Sequence, residues 1–195
     1  MVLMCWVSVS LIKGGLWFFA YVGFVVELPE VLVREVSRLG VDVEGFIIDS
    51  VIARLNLDPG TELEVHLELA ERFLREGVEL VSKDPVQASE KLYKAAEEAV
   101  KAMAIALGLD EARTASEQGR WTAALLFRAV DSISDRLGRE EVRLWWGGRA
   151  WFLHVEGFHE ARLGQNQVGG RDLKYVEALV RLAQECCREA RGGKA

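Results

Sequence analysis

The strongest constraint on the fold is a device used twice. Asp58-Pro59 and Asp84-Pro85 each open a long run whose apolar residues recur at helical spacing. An aspartate can accept the unpaired amide hydrogens of a helix start, and a proline in the first turn loses nothing by lacking one. In the first run Leu63, Leu67, Ala70, Leu74, Val78 and Val81 form one stripe, with Glu and Arg opposite. In the second the stripe is Ala88, Leu92, Ala95, Ala99, Met103 and Leu107. So many small residues on a buried stripe imply a close approach by another helix.

The remaining segments follow the same period. "LPEVLVREVSRLG" begins with Pro29 in a first turn and stops at Gly40, and "VDVEGFIIDSVIARLNL" has apolar residues at 43, 46, 47, 51, 52 and 55. Thr114 and Glu117 have capping-box spacing ahead of a helix expected to run to Leu137. A further helix is expected over 139–163, and "GQNQVGG" breaks the chain before a last one over 171–191. No segment shows the strict alternation of a strand. The expectation is an all-α fold: an antiparallel bundle of four to five long helices preceded by two short helices. Residues 27–57 would form a short helical N-terminal region and 58–192 the bundle.

Residues 1–26, "MVLMCWVSVSLIKGGLWFFAYVGFVV", stand apart, with Lys13 as their only charge. A membrane span takes ~20 apolar residues, so the leader is long enough if Lys13 and Gly14–Gly15 are tolerated. As a secretory signal it is poor, because the positive residue follows the first apolar run and no small-x-small cleavage site is present. Three readings stay open: a start assigned too far upstream, a membrane anchor, and a buried or dimer-forming segment. The first is favoured.

Charge limits the function. The net charge of −6 argues against a broad nucleic-acid-coating surface, which needs clustered Lys and Arg, and leaves room for a local basic or stacking site. Cys5 and the adjacent Cys186–Cys187 make neither a CxxC pair nor a Cys/His metal spacing, which favours a reducing, cytoplasmic compartment. No phosphate loop of the GxxxxGK[ST] or GxGxxG type occurs, no Ser/His or Cys/His nucleophile is readable, and no cofactor is expected.

"LELAERFLREG" followed by "DPVQASEKLYKAAEEAVKAMA", with "LDP" upstream and "LHVEGFHEAR" downstream, resembles the signature of the archaeal PaREP family over about residues 27–190. That family is grouped by fold with the HEPN superfamily of nucleotide-binding helical bundles. The resemblance implies a four-to-five-helix antiparallel bundle that dimerises through its active-site face. Many HEPN proteins are metal-independent ribonucleases that carry an Arg, four to six residues, then a His on a late helix. Arg149 and His154 match that motif. Ala150 stands where ribonuclease members commonly carry a polar residue, often Asn.

The chemistry of such a pair is reasonable in itself. Cleavage beside a 2′-hydroxyl needs a base for its proton and a cation for the phosphorane, roles that His and Arg fill. On a straight α-helix the two side chains would point about 140° apart, and would converge only through arginine's reach or across a dimer seam. Glu156, His159 and Glu160 are candidate supporting residues. Glu156 and His159 also have the Glu-x-x-His spacing of di-iron bundles. No second copy exists, and Glu62–His66 breaks the pattern, so no metal site is expected. The competing reading is structural: His154 and His159 could each hydrogen-bond a carboxylate or a carbonyl within the bundle, and Glu156–His159–Arg162 could form a surface ladder. Trp145, Trp146 and Trp151, with Trp121 on the preceding helix, could stack on bases, but core or interface duty is favoured. Gly147–Gly148 would kink the helix beside Arg149.

The partners expected are a second copy of the chain and RNA or a nucleotide, with a membrane only if the leader is genuine. The competing function is a non-catalytic helical module that partners a nucleotidyltransferase in a toxin–antitoxin-like pair.

Overall fold

A computed structural model of the chain describes residues 27–38 and 43–192, except for the side chain of Arg171. The apolar leader, Cys5 and the expected stop at Gly40 lie outside the described residues. The chain divides into two compact units, Met1–Ile47 and Ile48–Ala195. The first contains α1 (Glu30–Arg38), an amphipathic helix braced by an Arg38–Glu35 pair at 2.6 Å. Helix α2 (Val43–Leu55) begins in the first unit and ends in the second. All regular elements among the described residues are helical, and none is long and apolar enough to cross a membrane.

The second unit is an α-helical bundle built around α4 (Pro85–Ala106). Helix α3 (Pro59–Leu80) returns antiparallel to it through a tight turn. Both start on the aspartate caps: Asp58 Oδ1 accepts from the amides of Gly60 and Thr61, and Asp84 Oδ1 from those of Val86 and Gln87. The alanine stripe fixes how closely the helices pack. Ala88, Ala95 and Ala99 are fully buried, and a Cβ added to Gly77 would stand 2.7 Å from Leu92 Cδ2. Glycine there is what lets α3 and α4 come together.

Helix α5 (Asp110–Gln118), α6 (Ala123–Leu137), the short α7 (Glu141–Trp145) and α9 (Leu173–Gly192), with α8 (Gln165–Gln167) before it, complete the unit. The core is made by Leu69, Phe73, Leu92, Met103, Ile133, Trp146, Leu153 and Leu179, all buried. Two expected helices prove to be composite. Thr114 is inside α5, where its hydroxyl bonds back to the Asp110 carbonyl at 2.9 Å instead of capping a new helix. Gly119, left-handed at φ 66°, ends that helix, and Thr122 caps α6 through the Leu125 amide.

The expected helix over 139–163 is α7 followed by two π-helical segments, Trp146–Ala150 and Leu153–His159. Their i→i−5 bonds run from the Trp151 amide to the Trp146 carbonyl and from Glu160 to Val155. A third π segment, Val168–Asp172, leads into α9.

Candidate functional site

The π segment Leu153–His159 is drawn onto α4 at Gly157, where an added Cβ would collide with the buried side chain of Ser89. This approach delivers His154 to α4. Its Nδ1 lies 2.9 Å from Oε2 of Glu90, and its ring stacks on Tyr93 with centroids 4.1 Å apart and planes at 28°. A carboxylate only accepts, so Nδ1–H donates to Glu90 when Glu90 is ionised, and Nε2 is left for a second partner. That Nε2 is 3.1 Å from Nε2 of His159. One ring must donate and the other accept, so the two histidines share a single proton along this edge. His154 keeps a fifth of its side chain exposed and His159 is exposed, so a solute can reach the pair.

Tyr93 and Glu90 belong to α4 and are nearly buried. Burial pushes the Tyr93 hydroxyl far above its usual range, and the carboxylates of Glu97 and Glu90 push the same way. Tyr93 therefore stays neutral and serves the site as a flat surface under the imidazole.

Arg149 faces elsewhere. Its Nη1 is 3.3 Å from Oδ1 of buried Asp172, and its guanidinium lies over the Tyr175 ring at 5.1 Å. Its Nε is buried without a hydrogen-bond acceptor. Among the described residues no contact joins Arg149 to His154: Arg149 meets Asp172 at the start of α9 and His154 meets Glu90 of α4. The π geometry removes the simple 140° separation of a straight helix, because five residues make roughly one π turn, yet the two side chains still meet different partners.

The other sequence candidates divide. His159 joins His154. Glu156 and Glu160 do not: Arg162 binds both, Nη1 to Glu156 and Nη2 to Glu160, each at 2.9 Å. The surface ladder thus runs Glu156–Arg162–Glu160 and leaves His159 out. Trp151 is half-buried, 5.5 Å from the His154 ring and 5.2 Å from Phe127. Trp146 is fully buried core between Tyr93 and Phe127. Trp145 lies under the Arg139 guanidinium. Among the described residues, no group of three or more His, Cys, Asp or Glu is arranged to hold a metal ion.

A second polar centre lies further along α4. His66 Nδ1 is 2.6 Å from Oε2 of Glu98, whose Oε1 is 2.8 Å from Lys101 Nζ. Lys101 also meets Glu97 at 2.9 Å and Asp49 at 3.4 Å, with its side chain buried. Burial opposes ionisation of Glu98, but the Lys101 ammonium and then His66 overcome it and hold the carboxyl down to about 2. Burial likewise opposes the charge on Lys101, and Glu97, Glu98 and Asp49 restore it and raise its pKa well above the usual value. For Glu97 burial prevails, and its carboxyl is raised.

Sequence reasoning missed Glu90, Tyr93 and Asp172 at the first centre and Glu98 and Lys101 at the second. The one local hint was the i, i+4 spacing of Glu62 and His66. Glu90 stands 64 residues before His154, and no local pattern connects them.

The model of the archaeal PaREP1/PaREP8 family matches residues 65–180. These residues hold α4 and every π segment, and so both polar centres except Asp49 and Glu62. A protein of Sulfolobus solfataricus of known crystal structure is 38% identical, with a TM-score of 0.55. The match covers 60% of this chain and 95% of that one. No curated protein matches. The match across more than half of its length, over the elements that carry the site, makes the chain a member of the archaeal PaREP1/PaREP8 family.

Proposed function

We propose that this protein is a HEPN-like, RNA-handling member of its family that cleaves RNA without a metal ion, with His154 and Arg149 as its catalytic residues. The observation that carries the reading is the Glu90–His154–His159 row: a carboxylate at Nδ1 of an accessible imidazole, with a second imidazole at its Nε2. Glu90 is a positioning residue, fixing tautomer and ring plane. His154 Nε2 takes the proton of a 2′-hydroxyl, and the freed oxygen attacks the neighbouring phosphorus. The bond to the 5′-oxygen breaks, and a second imidazole returns a proton to that leaving oxygen. The products are a 2′,3′-cyclic phosphate and a 5′-hydroxyl. General acid–base catalysis of this kind contributes typically about 10²–10⁴-fold.

Arg149 is to steady charge on the phosphorane oxygens with two parallel donors. It faces away from His154 in one protomer, so the proposed working form is a homodimer in which Arg149 of one copy approaches His154 of the other. Phe127, Leu144 and Phe152 are large apolar residues exposed on the elements around the site, as an interface requires. The same surface supports a second reading, a non-catalytic module that docks a nucleotidyltransferase.

The test is incubation with labelled single-stranded RNA in EDTA, beside Arg149→Ala and His154→Ala proteins shown to be folded by circular dichroism. Cleavage lost in both variants supports the ribonuclease. Equal, background-level products in all three proteins would overturn it in favour of the docking module.

A further inference from the structure

The π segment does more than deliver His154 to α4. On a straight α-helix His154 and His159 would point about 140° apart. In the π turn of Leu153–His159 they come to one side, with their Nε2 atoms 3.1 Å apart, ring centroids 4.5 Å apart and planes at 78°. The centroids are only 1.4 Å further apart than the nitrogens (4.5 less 3.1), less than two end-to-end imidazoles would show. The lone-pair axes are therefore inclined to the N···N line. A shared proton favours a straight bond. Inclined axes at this spacing suit one metal ion, because tetrahedral zinc with Zn–N of about 2.0–2.1 Å sets two nitrogens about 3.3 Å apart.

The proton count suits an ion as well. The 3.1 Å contact is a hydrogen bond only when one Nε2 carries a lone pair, so this edge holds a single proton. Glu90 settles which ring that lone pair belongs to. Its Oε2 lies 2.9 Å from Nδ1 of His154, which keeps the His154 proton there and turns the bare Nε2 toward His159. A carboxylate behind the second ring nitrogen is the usual companion of a metal-ligating histidine, because it fixes the tautomer and raises the basicity of the ligand.

The rings are also held ready. Tyr93 stacks on His154 at 4.1 Å, Trp151 lies 5.5 Å from the same ring, and Phe158 lies 5.1 Å from His159. His159 is exposed, so an ion in solution reaches the pair without any opening of the core. A preorganised pair of ligands has little ordering left to lose on binding.

We propose that His154 and His159 form a two-imidazole chelate for zinc(II), with both Nε2 atoms on the ion and water in its remaining positions. Binding releases the one proton that the two rings share. Imidazole selects zinc and its late first-row neighbours over magnesium, which takes oxygen ligands. One consequence rests on the ribonuclease reading: bound zinc occupies the nitrogen that takes the 2′-hydroxyl proton, and so inhibits cleavage.

Isothermal titration of the whole chain with zinc chloride at pH 7.5, beside magnesium chloride at the same ionic strength, tests the chelate. The expected result is saturable binding of one zinc per chain and no saturable binding of magnesium. Glu90→Gln is expected to weaken zinc binding by about 10–100-fold, the usual cost of losing the group behind a ligating imidazole, and His159→Ala, which removes a ligand outright, by at least as much. Glu117→Gln, at an exposed position of α5, is expected to leave it unchanged. Zinc binding of equal strength in His159→Ala, as ions held instead by Cys186 and Cys187 would give, overturns the proposal. So does the absence of saturable zinc binding by the parent protein. The readout is binding, so a protein that takes up zinc through these histidines but never cleaves RNA refutes the ribonuclease and leaves the chelate standing.

Discussion

Lys101→Met is the sharpest probe of what holds the centre of α4 together. Methionine preserves the length and apolar stem of a side chain that is 1% exposed, so little packing is lost. What is lost is the ammonium that keeps Glu98 ionised. A carboxyl held at about 2, against its ordinary value of 4.5, contributes about 3 kcal/mol near neutrality. Removing one partner of a buried pair costs about 3–5 kcal/mol in general, which agrees. For a chain of this size that corresponds to a fall in Tm of roughly 6–20 °C.

The sign of the pH dependence follows from the direction of the shift. The Glu98 pKa is depressed in the native protein, so its stabilisation is present above the unfolded value and is lost as pH falls toward about 2. Without Lys101 only His66 opposes the burial of Glu98, so the native pKa is expected to rise and the variant to lose less than the parent on acidification. The deficit is therefore expected to be largest near pH 7 and to shrink by pH 4.5. Urea unfolding followed by circular dichroism at the two pH values measures it. A deficit under about 1 kcal/mol, or an equal deficit at both pH values, would refute the reasoning and reduce Lys101 to packing.

Other outcomes follow from single contacts. Gly77→Ala is expected to destabilise by about 1–3 kcal/mol in urea, despite alanine's better helix propensity, because the new methyl meets Leu92 Cδ2 at 2.7 Å and Leu92 N at 3.2 Å. Unchanged stability would mean the α3–α4 contact is looser. Asp58→Ala and Asp84→Ala are each expected to cost about 1 kcal/mol in the same assay, and to add in the double variant to within ~0.5 kcal/mol. Burial raises the Cys186 thiol, and burial with the neighbouring Cys186 pushes Cys187 to about 11. Both are expected to resist alkylation at pH 8 in the folded protein and to react in urea, as peptide mass mapping would report. Glu90→Gln, if the proposed chemistry holds, is expected to lower kcat by up to about 100-fold with RNA affinity kept, the cost of a misplaced base.

Much of the fold was legible because it rests on local chemistry. Asp-Pro pairs cap helices whatever surrounds them, and the alanines of α4 announce a close neighbour before that neighbour is known. The misread segments have equally physical reasons. Thr114 and Glu117 satisfy capping-box spacing, but Gly119 offers a left-handed stop that Thr114 cannot override, and Thr122 supplies the working cap. The π segments around Gly147, Gly148 and Gly157 were readable only as a weakened helix. Gly148 lies against Leu144 and Gly157 against Ser89 of α4, close approaches that the spacing alone does not announce.

The candidate site was half legible. Arg149, His154 and His159 could be named from their spacing, and the pairing of the two histidines follows from the π geometry. The partners that give each its chemistry come from far along the chain: Glu90 for His154, Asp172 for Arg149 and Glu98 for His66. Residue types on the polar side of α4 carry no mark of which histidine they will meet.

The most direct measurement is end-group analysis of RNA incubated with the protein in EDTA, with Arg149→Ala and His154→Ala in parallel. The proposed acid–base chemistry requires 2′,3′-cyclic phosphate and 5′-hydroxyl termini that disappear in both variants. Intact RNA, or products whose amount and ends are the same with His154→Ala, would contradict it.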